Sequence, residues 1–314
     1  MSRPRPAAAV LVPTHDHPAT LDLAVRSALE QTVAEIEVLI VGDGVGEETR
    51  EVAGDLLRED ERVRFLDLPK GPNHGEVHRG TAIEGTAAEI VCYLCDDDLL
   101  LPEHVASMLE MLAEADLAHS QNGHLEADGT WHHIFADLSS PACRAWILQP
   151  GSNVVSLTGT AHTVAAYRRL PHGWRTTPAG HWPDHYMWQQ FLAEPWVRAA
   201  TAPRVTALQF PSHLGGREDW PPERRRAELE QWRARLATAE GRAQLEATIG
   251  RAIRTQATAE WLRRDELEAE LRELRPLRAE AVAEATYLAA HLRAVESTRT
   301  WRLRSRLRRI FRRQ

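Results

Sequence analysis

Short apolar runs alternate with helical-period patterns through the first hundred residues. Ala8–Val12 is a continuous apolar run suited to a buried strand, and Leu21, Val25, Ala28 and Leu29 then recur at helical spacing. Val38–Val41 reads as a second strand, stopped by Gly42-Asp43-Gly44. A polar helix is predicted from about Glu47 to Glu59, followed by a strand at Val63–Leu66. A loop holding Pro69, Gly71, Pro72 and Gly75 leads to a short helix and the strand Ile90–Leu94. Strands alternating with helices imply βαβ units and a mostly parallel sheet covered on both faces, an α/β fold. Ligands of such sheets bind beyond the carboxyl ends of the strands, and Pro13–His17, Gly42–Gly46 and Cys95–Asp98 all fall there.

From Leu117 to about Leu208 the pattern is irregular and rich in Trp, His, Gly and Pro. Asp128-Gly129, between Leu125 and Trp131, predicts a hairpin turn. The span Ala7–Gly215 reads as one catalytic-type domain. After Pro221-Pro222 the composition shifts to Ala, Glu, Arg and Leu with no strand signal. Leu229, Trp232 and Leu236 share a helical face, as do Leu267, Leu271 and Leu274, and Pro276 is expected to break or kink the run. A final helix then carries Leu288, Leu292 and Val295. This α-helical, partly coiled-coil extension is not read as a sustained heptad, so docking on the catalytic-type domain and homo-oligomer formation both stay open. The expected division is 1–215, 216–296 and a basic tail over 297–314.

Composition sharpens this picture at the end of the chain. A formal net charge of −7 argues against a general nucleic-acid binder. Yet Arg299, Arg302, Arg304, Arg306, Arg308, Arg309, Arg312 and Arg313 crowd the last eighteen residues with no acid among them. Wound into a helix, Leu303, Leu307, Ile310 and Phe311 would form one apolar strip flanked by guanidinium groups, a pattern for peripheral contact with an anionic membrane. Packing on an acidic face of the protein, or disorder, is the alternative. No segment reaches the ~20 apolar residues that span a bilayer. Cys92, Cys95 and Cys143 are too few for a disulfide framework, and Cys92-x-x-Cys95 reads as two thiols on a buried strand rather than half a zinc site. A reducing cytoplasm, extending to the inner face of the cell membrane, is the expected setting.

The strongest chemical signal is Tyr93-Leu94-Cys95-Asp96-Asp97-Asp98, leading into Leu99–Pro102. Three acids directly after a buried strand are costly unless a cation or hydrogen-bond donors meet them. A hard divalent ion bridging a diphosphate needs only one or two carboxylates, since phosphate oxygens and water complete its shell. Asp98 also suits a helix start near Pro102, where acids favour the N-terminal dipole.

In its motif order, Val10–Val105 resembles family 2 glycosyltransferases of the GT-A fold. The matching segments are Val10-Leu11-Val12-Pro13-Thr14, Ser27-Ala28-Leu29-Glu30-Gln31-Thr32, Val41-Gly42-Asp43-Gly44 and the acidic cluster. The resemblance is firm over roughly the first hundred and ten residues and weaker as far as Leu208. It implies a Rossmann-like domain that moves a sugar from a nucleotide-diphosphate sugar to a saccharide or lipid-linked acceptor, with inversion, in cell-surface polysaccharide or glycoconjugate assembly. By position, Asp43 would take hydrogen bonds from the nucleobase, with Pro13 and Thr14 lining its pocket. Arg79 would approach the nucleotide, Asp96 the ribose, and Asp97 a Mn²⁺ or Mg²⁺ ion. Three positions depart from the usual pattern: Gly42 replaces an acid, Gly80 a frequent Asn, and Cys95 the first acid of the D-x-D form.

In Gly180-His181-Trp182-Pro183-Asp184-His185-Tyr186-Met187-Trp188, the resemblance makes Asp184 the base that deprotonates the acceptor hydroxyl. Capping of the following helix is compatible with that role. Trp182 and Trp188 suit either stacking on sugars or packing. His162 and His213 are candidate diphosphate contacts or additional metal ligands, although a lone His is more often an ordinary polar residue. Two rivals come from other classes. A nucleotidyltransferase needs a glycine-rich basic loop early in the chain, which Pro13–Ala19 lacks. A non-catalytic scaffold acting through its helical arm would not need Asp43, Asp96, Asp97 and Asp184 together.

Overall fold

The structure, a computed structural model, describes residues 5–212, 216–298, 300, 301 and 304. The chain divides into two compact units, 1–253 and 254–314. In the first unit, β1 (Ala8–Thr14), α1 (Pro18–Leu29), β2 (Ile36–Asp43), α2 (Glu47–Glu59), β3 (Val63–Leu68), α3 (Val77–Glu84) and β4 (Ile90–Tyr93) alternate as the periodicity predicts. Next come β5 (Leu99–Leu100), α4 (His104–Leu112), β6 (Leu117–His119), β7 (Asn122–Leu125) and β8 (Trp131–Ile134). α5 (Pro141–Ile147), β9 (Thr160–Thr163), α6 (Val164–Tyr167), α7 (Pro183–Ala193), β10 (Ala199–Thr201), β11 (Ala207–Leu208) and α8 (Pro222–Leu236) follow. α9 (Ala239–Ser297) starts in the first unit and supplies the described helix of the second.

Seven strands form one sheet in the order β10-β6-β9-β4-β1-β2-β3. β4, β1, β2 and β3 pair in parallel, and β9 enters antiparallel between β4 and β6. The central strand shows why its run is apolar without alternation. Ala8, Val10 and Val12 face one core layer, with Leu21, Val25 and Leu56, while Ala9 and Leu11 face the other, with Ile83, Tyr93 and Trp188. A strand buried on both faces has no polar side to show. The hairpin is present as β7–β8, with Gly129 at φ +84° and Glu126 N–H donating to Thr130 O at 2.8 Å.

α8 is apolar on one narrow face only. Leu229, Trp232 and Leu236 enter a third core cluster with Leu23, Leu125 and Phe210, and Leu245 and Ile249 of α9 join it. In the second unit α9 continues through Pro276 without a break, contrary to expectation. Proline there removes one helical N–H donor, and its neighbours are all exposed, so water can satisfy the carbonyl left over. Nearly all of the basic stretch 297–314 lies outside the described residues. No helix among the described residues is long and apolar enough to cross a membrane.

Candidate active site

Three strand ends deliver the predicted residues to one edge of the sheet. β1 ends on Thr14, β2 ends on Asp43, and the turn after β4 carries Asp96, Asp97 and Asp98. Register fixes their proximity, since Thr14 pairs with Gly42 and Leu11 with Tyr93. Thr14 is buried, and its hydroxyl has no hydrogen-bond partner among the described residues.

Asp43 lies at the floor of the loop Pro69–Gly75. It accepts from Gly71 N–H at 2.6 Å and from the Lys70 ammonium, with His78 Nε2 at 3.5 Å. Burial alone would raise its pKa, but the Lys70 ammonium and the Gly71 N–H outweigh burial and hold it below the usual carboxylate value. The loop can close so tightly only because Gly75 lacks a side chain: a Cβ there would stand 2.1 Å from Asp43 Cγ. Gly42 is tight as well, though less so, for its Cβ would meet Phe65 Cε2 at 2.9 Å. A Cβ at Gly80 would stand 3.1 Å from the Tyr167 hydroxyl, leaving little room for an Asn.

The acidic turn separates into three roles. Asp96 Oδ1 pairs with His17 Nδ1 at 2.9 Å, and the bond to Asp96 lifts the His17 pKa to about 9. Asp97 Oδ2 stands 3.2 Å from Arg225 Nη2, on the first turn of α8, and burial with Asp96 beside it pushes Asp97 up to about 6. Asp98 is not at a helix start. Its Oδ1 accepts from Phe210 N–H at 2.8 Å and its Oδ2 from the Thr158 hydroxyl, so it ties the acidic turn to two neighbouring segments. Burial, then Asp97, pushes Asp98 up to about 8. Cys92 and Cys95 are free thiols, and burial raises both.

Arg225 is held firmly. Its Nη2 also donates to Phe210 O at 2.5 Å, and Glu228 reaches both Arg225 and the fully buried Arg217. A cleft of about 600 Å³ opens here, lined by Asp16, His17, Asp97, Ser212, Trp220 and Arg225 among others. Among the described residues no group of three or more His, Cys, Asp or Glu is arranged to hold a metal.

Arg79, on α3, is a cation without an acid partner. It is buried, its Nε has no acceptor, and no hydrogen bond or ion pair holds its guanidinium among the described residues. It stacks on Trp174, 4.6 Å from the ring centroid, and burial lowers its pKa against the pull of Cys95 and Asp184. Asp184 occupies the first turn of α7 but is not its cap, which is Trp182. Its Oδ1 accepts from His185 N–H at 2.7 Å, Asn153 Nδ2 lies 3.4 Å from Oδ2, and burial raises its pKa. Trp188 is buried and donates to Val155 O, whereas Trp182 is 60% exposed.

His162 is placed elsewhere, in the core with its ring satisfied on both sides. Nδ1 donates to Thr163 O at 3.0 Å, leaving Nε2 to accept from the Tyr93 hydroxyl at 2.7 Å. Tyr93 in turn accepts from Trp174 Nε1–H at 2.7 Å. No ring nitrogen is left for a metal or a phosphate. His213 lies outside the described residues. Sequence reasoning missed His17, Lys70 and Arg225. His17 closes a strand-end segment already singled out and Lys70 lies in the loop holding Pro69 and Gly71, but nothing local tied Arg225, 128 residues downstream, to Asp97.

Comparison with known proteins agrees with this geometry. Residues 9–141 match the model of glycosyl transferase family 2. A GalNAc(5)-diNAcBac-PP-undecaprenol beta-1,3-glucosyltransferase of Campylobacter jejuni is 24% identical over 134 residues, 42% of this chain and 42% of that protein. A chondroitin synthase of Pasteurella multocida is 30% identical over 128 residues, 40% of this chain but 13% of that one. The chain thus matches less than half the length of either relative. S. aureus TarS 1–349 superposes with a TM-score of 0.51 at 15% identity, covering 66% of this chain and 61% of that one. A mannosyltransferase from Pyrobaculum calidifontis, in complex with GDP-Man and Mn²⁺, gives 0.50 at 18% identity, covering 95% and 83%. Residues 9–141 are thus similar to glycosyl transferase family 2, and the architecture around them is a GT-A-like fold with a C-terminal helical extension.

Proposed function

We propose that the first unit transfers a sugar from a nucleotide-diphosphate sugar to a hydroxyl acceptor, with inversion, in polysaccharide or glycoconjugate assembly. The observation that carries this reading is Arg79, a buried guanidinium stacked on Trp174 but with no hydrogen-bond or ion-pair partner among the described residues, together with Thr14, whose buried hydroxyl is likewise without one there. Burying a charge without a partner is costly, and an anionic donor supplies the missing acceptors.

Each residue then has a task. Asp43, fixed at the end of β2, accepts an N–H from the base after exchanging its bond to Lys70. Pro13 and Thr14 line that pocket, and Asp96 takes the ribose. Arg225 and His17 hold positive charge beside the acidic turn, where the diphosphate would lie. Asp97 is the residue that would hold a Mn²⁺ or Mg²⁺ ion, which when bound neutralises charge on the departing diphosphate. Asp184 takes the acceptor's proton as the hydroxyl attacks the anomeric carbon from the face opposite the leaving group. The exposed ring of Trp182, two residues before Asp184, offers a stacking face to an acceptor sugar. A lipid-linked acceptor belongs to the same reading, since the Campylobacter relative's name specifies an undecaprenol-linked substrate.

Thermal shift with UDP, GDP and dTDP, each with and without Mn²⁺, tests the donor site. One nucleotide should raise the melting temperature, and Arg79→Met should remove most of that shift. No shift with any nucleotide, or a shift untouched by Arg79→Met, would overturn the reading.

A further inference from the structure

Among its described residues the second unit carries an apolar surface with no partner of its own. Leu267, Leu274, Leu288 and Val295 on α9 are 41–56% exposed, and Leu271 and Leu292 are 53% and 63% exposed. No residue from Arg254 to Tyr287 is buried. Polar substitution at these positions would cost such a helix nothing by itself, so the apolar choice calls for a covering surface.

Continuity through Pro276 reveals the pattern. With no break in the helix, Leu267, Leu274, Ala281, Leu288 and Val295 stand at intervals of seven, as do Leu271, Arg278, Ala285 and Leu292. The two series interleave at steps of four and three, the spacing of a coiled-coil seam. Pro276 falls opposite that seam, where its ring disturbs no contact. The heptad that two separate helices would hide is a single frame of four repeats, about 42 Å long at 1.5 Å per residue.

We infer that residues 264–298 pair with the same segment of a second copy of this chain as a parallel, in-register, two-stranded coiled coil. Charge pattern selects this occupant. In that register the flanking residues Glu270 and His291 lie beside Arg275 and Glu296 of the second copy, each acid against a basic residue. Glu270 and Arg275 have no ion pair within their own chain among the described residues. The register also stacks large on large and small on small. Leucine layers at both ends enclose a centre of Ala281 and Ala285, and there Leu277 and Val282, 60% and 58% exposed, lie side by side across the two chains. Arg278, the one charged residue in the seam, penalises shifted registers that would set it against leucine.

Sedimentation equilibrium of the full chain at micromolar concentration should give twice the 35.3 kDa chain mass. Leu271→Glu with Leu292→Glu should return the mass to a single chain. Val295→Cys should form an intermolecular disulfide under mild oxidation, beyond any crosslinking of the wild type, because only a parallel in-register pair brings two 295 positions together. Arg275→Glu should raise the dissociation constant, and adding Glu270→Arg should restore it. A monomer for the wild type, a trimer or larger, a double-Glu variant that stays dimeric, or no crosslink at position 295 would each overturn the inference. The mass and crosslink readouts do not depend on catalysis, so they stand or fall apart from the proposed transferase activity.

Discussion

At the scale of single residues, the acidic turn shows how one short motif divides its labour. Asp98 spends both oxygens on the protein itself, while Asp97 faces a cleft and shares only one oxygen with Arg225. Asp97→Ala should therefore lower turnover by at least about 100-fold, the scale of losing a main electrostatic contact in a transition state. Its melting temperature should stay near wild type, because Arg225 keeps Phe210 O and Glu228. Turnover close to wild type at saturating donor would remove Asp97 from the proposed ion-holding role. Asp184→Asn should lose ~10²–10⁴-fold in rate while nucleotide affinity stays within a factor of two or so, since only the proton acceptor is removed. Because burial raises the Asp184 pKa, the base carries its proton to a higher pH than a free carboxylate. The wild-type rate should fall as the solution is acidified through that raised value, and a profile flat into the ordinary carboxylate range would remove Asp184 from the role.

At the scale of elements, the half of the sheet that carries the candidate site was legible, and for a simple reason. β1, β2 and β4 are buried on both faces, so each carries a continuous apolar run ended by polar or glycine residues, and the candidate site residues sit on those endings, whereas the edge strand β3 interrupts its apolar residues with exposed Arg64 and Asp67. α8 was not legible in the same way. Its apolar face of Leu229, Trp232 and Leu236 was read in the sequence, but the Arg- and Glu-rich composition left open what that face docks on and gave no sign that Arg225 reaches Asp97. A contact across 128 residues leaves no local trace in the chain. His162 failed for the opposite reason, since a histidine on an apolar strand looks the same whether its ring meets a ligand or a tyrosine. Leu229 stands one turn after Arg225 and is fully buried. Leu229→Ala should cost about 2–5 kcal/mol, read as a lower denaturant midpoint with unchanged slope. The same variant should weaken nucleotide binding, because α8 is what holds Arg225 against the acidic turn. Weakened stability with unaltered binding would separate α8 from the site.

At the scale of the whole molecule, the buried polar groups set how the first unit responds to pH. Burial lowers the pKa of His104 to about 3 and of His119 and His162 to about 4, from an ordinary 6.5. A group whose folded pKa is depressed contributes stability above its unfolded value and loses it as pH falls toward the folded one. These histidines therefore favour the folded state above pH 6.5 and oppose it progressively below. Asp98 works in the other direction, because its raised pKa gives stability at low pH that is lost as pH rises through about 8. Opposed contributions make the total curve a poor test, but a difference between two variants isolates one of them. His162→Gln keeps an amide oxygen for the Tyr93 hydroxyl and cannot titrate. At pH 8 the variant should be less stable than the wild type through imperfect packing beside Tyr167 and Phe191. From pH 6.5 to pH 4 the gap should close by up to roughly 3 kcal/mol, since each tenfold change in a protonation equilibrium is worth about 1.4 kcal/mol. Asp98, His104 and His119 titrate alike in both proteins and cancel. Urea midpoints measured for the pair at pH 8, 6, 5 and 4 decide the matter. A gap that stays constant across that range would mean that His162 takes up its proton as readily in the folded chain as in the unfolded one, so that burial does not depress it.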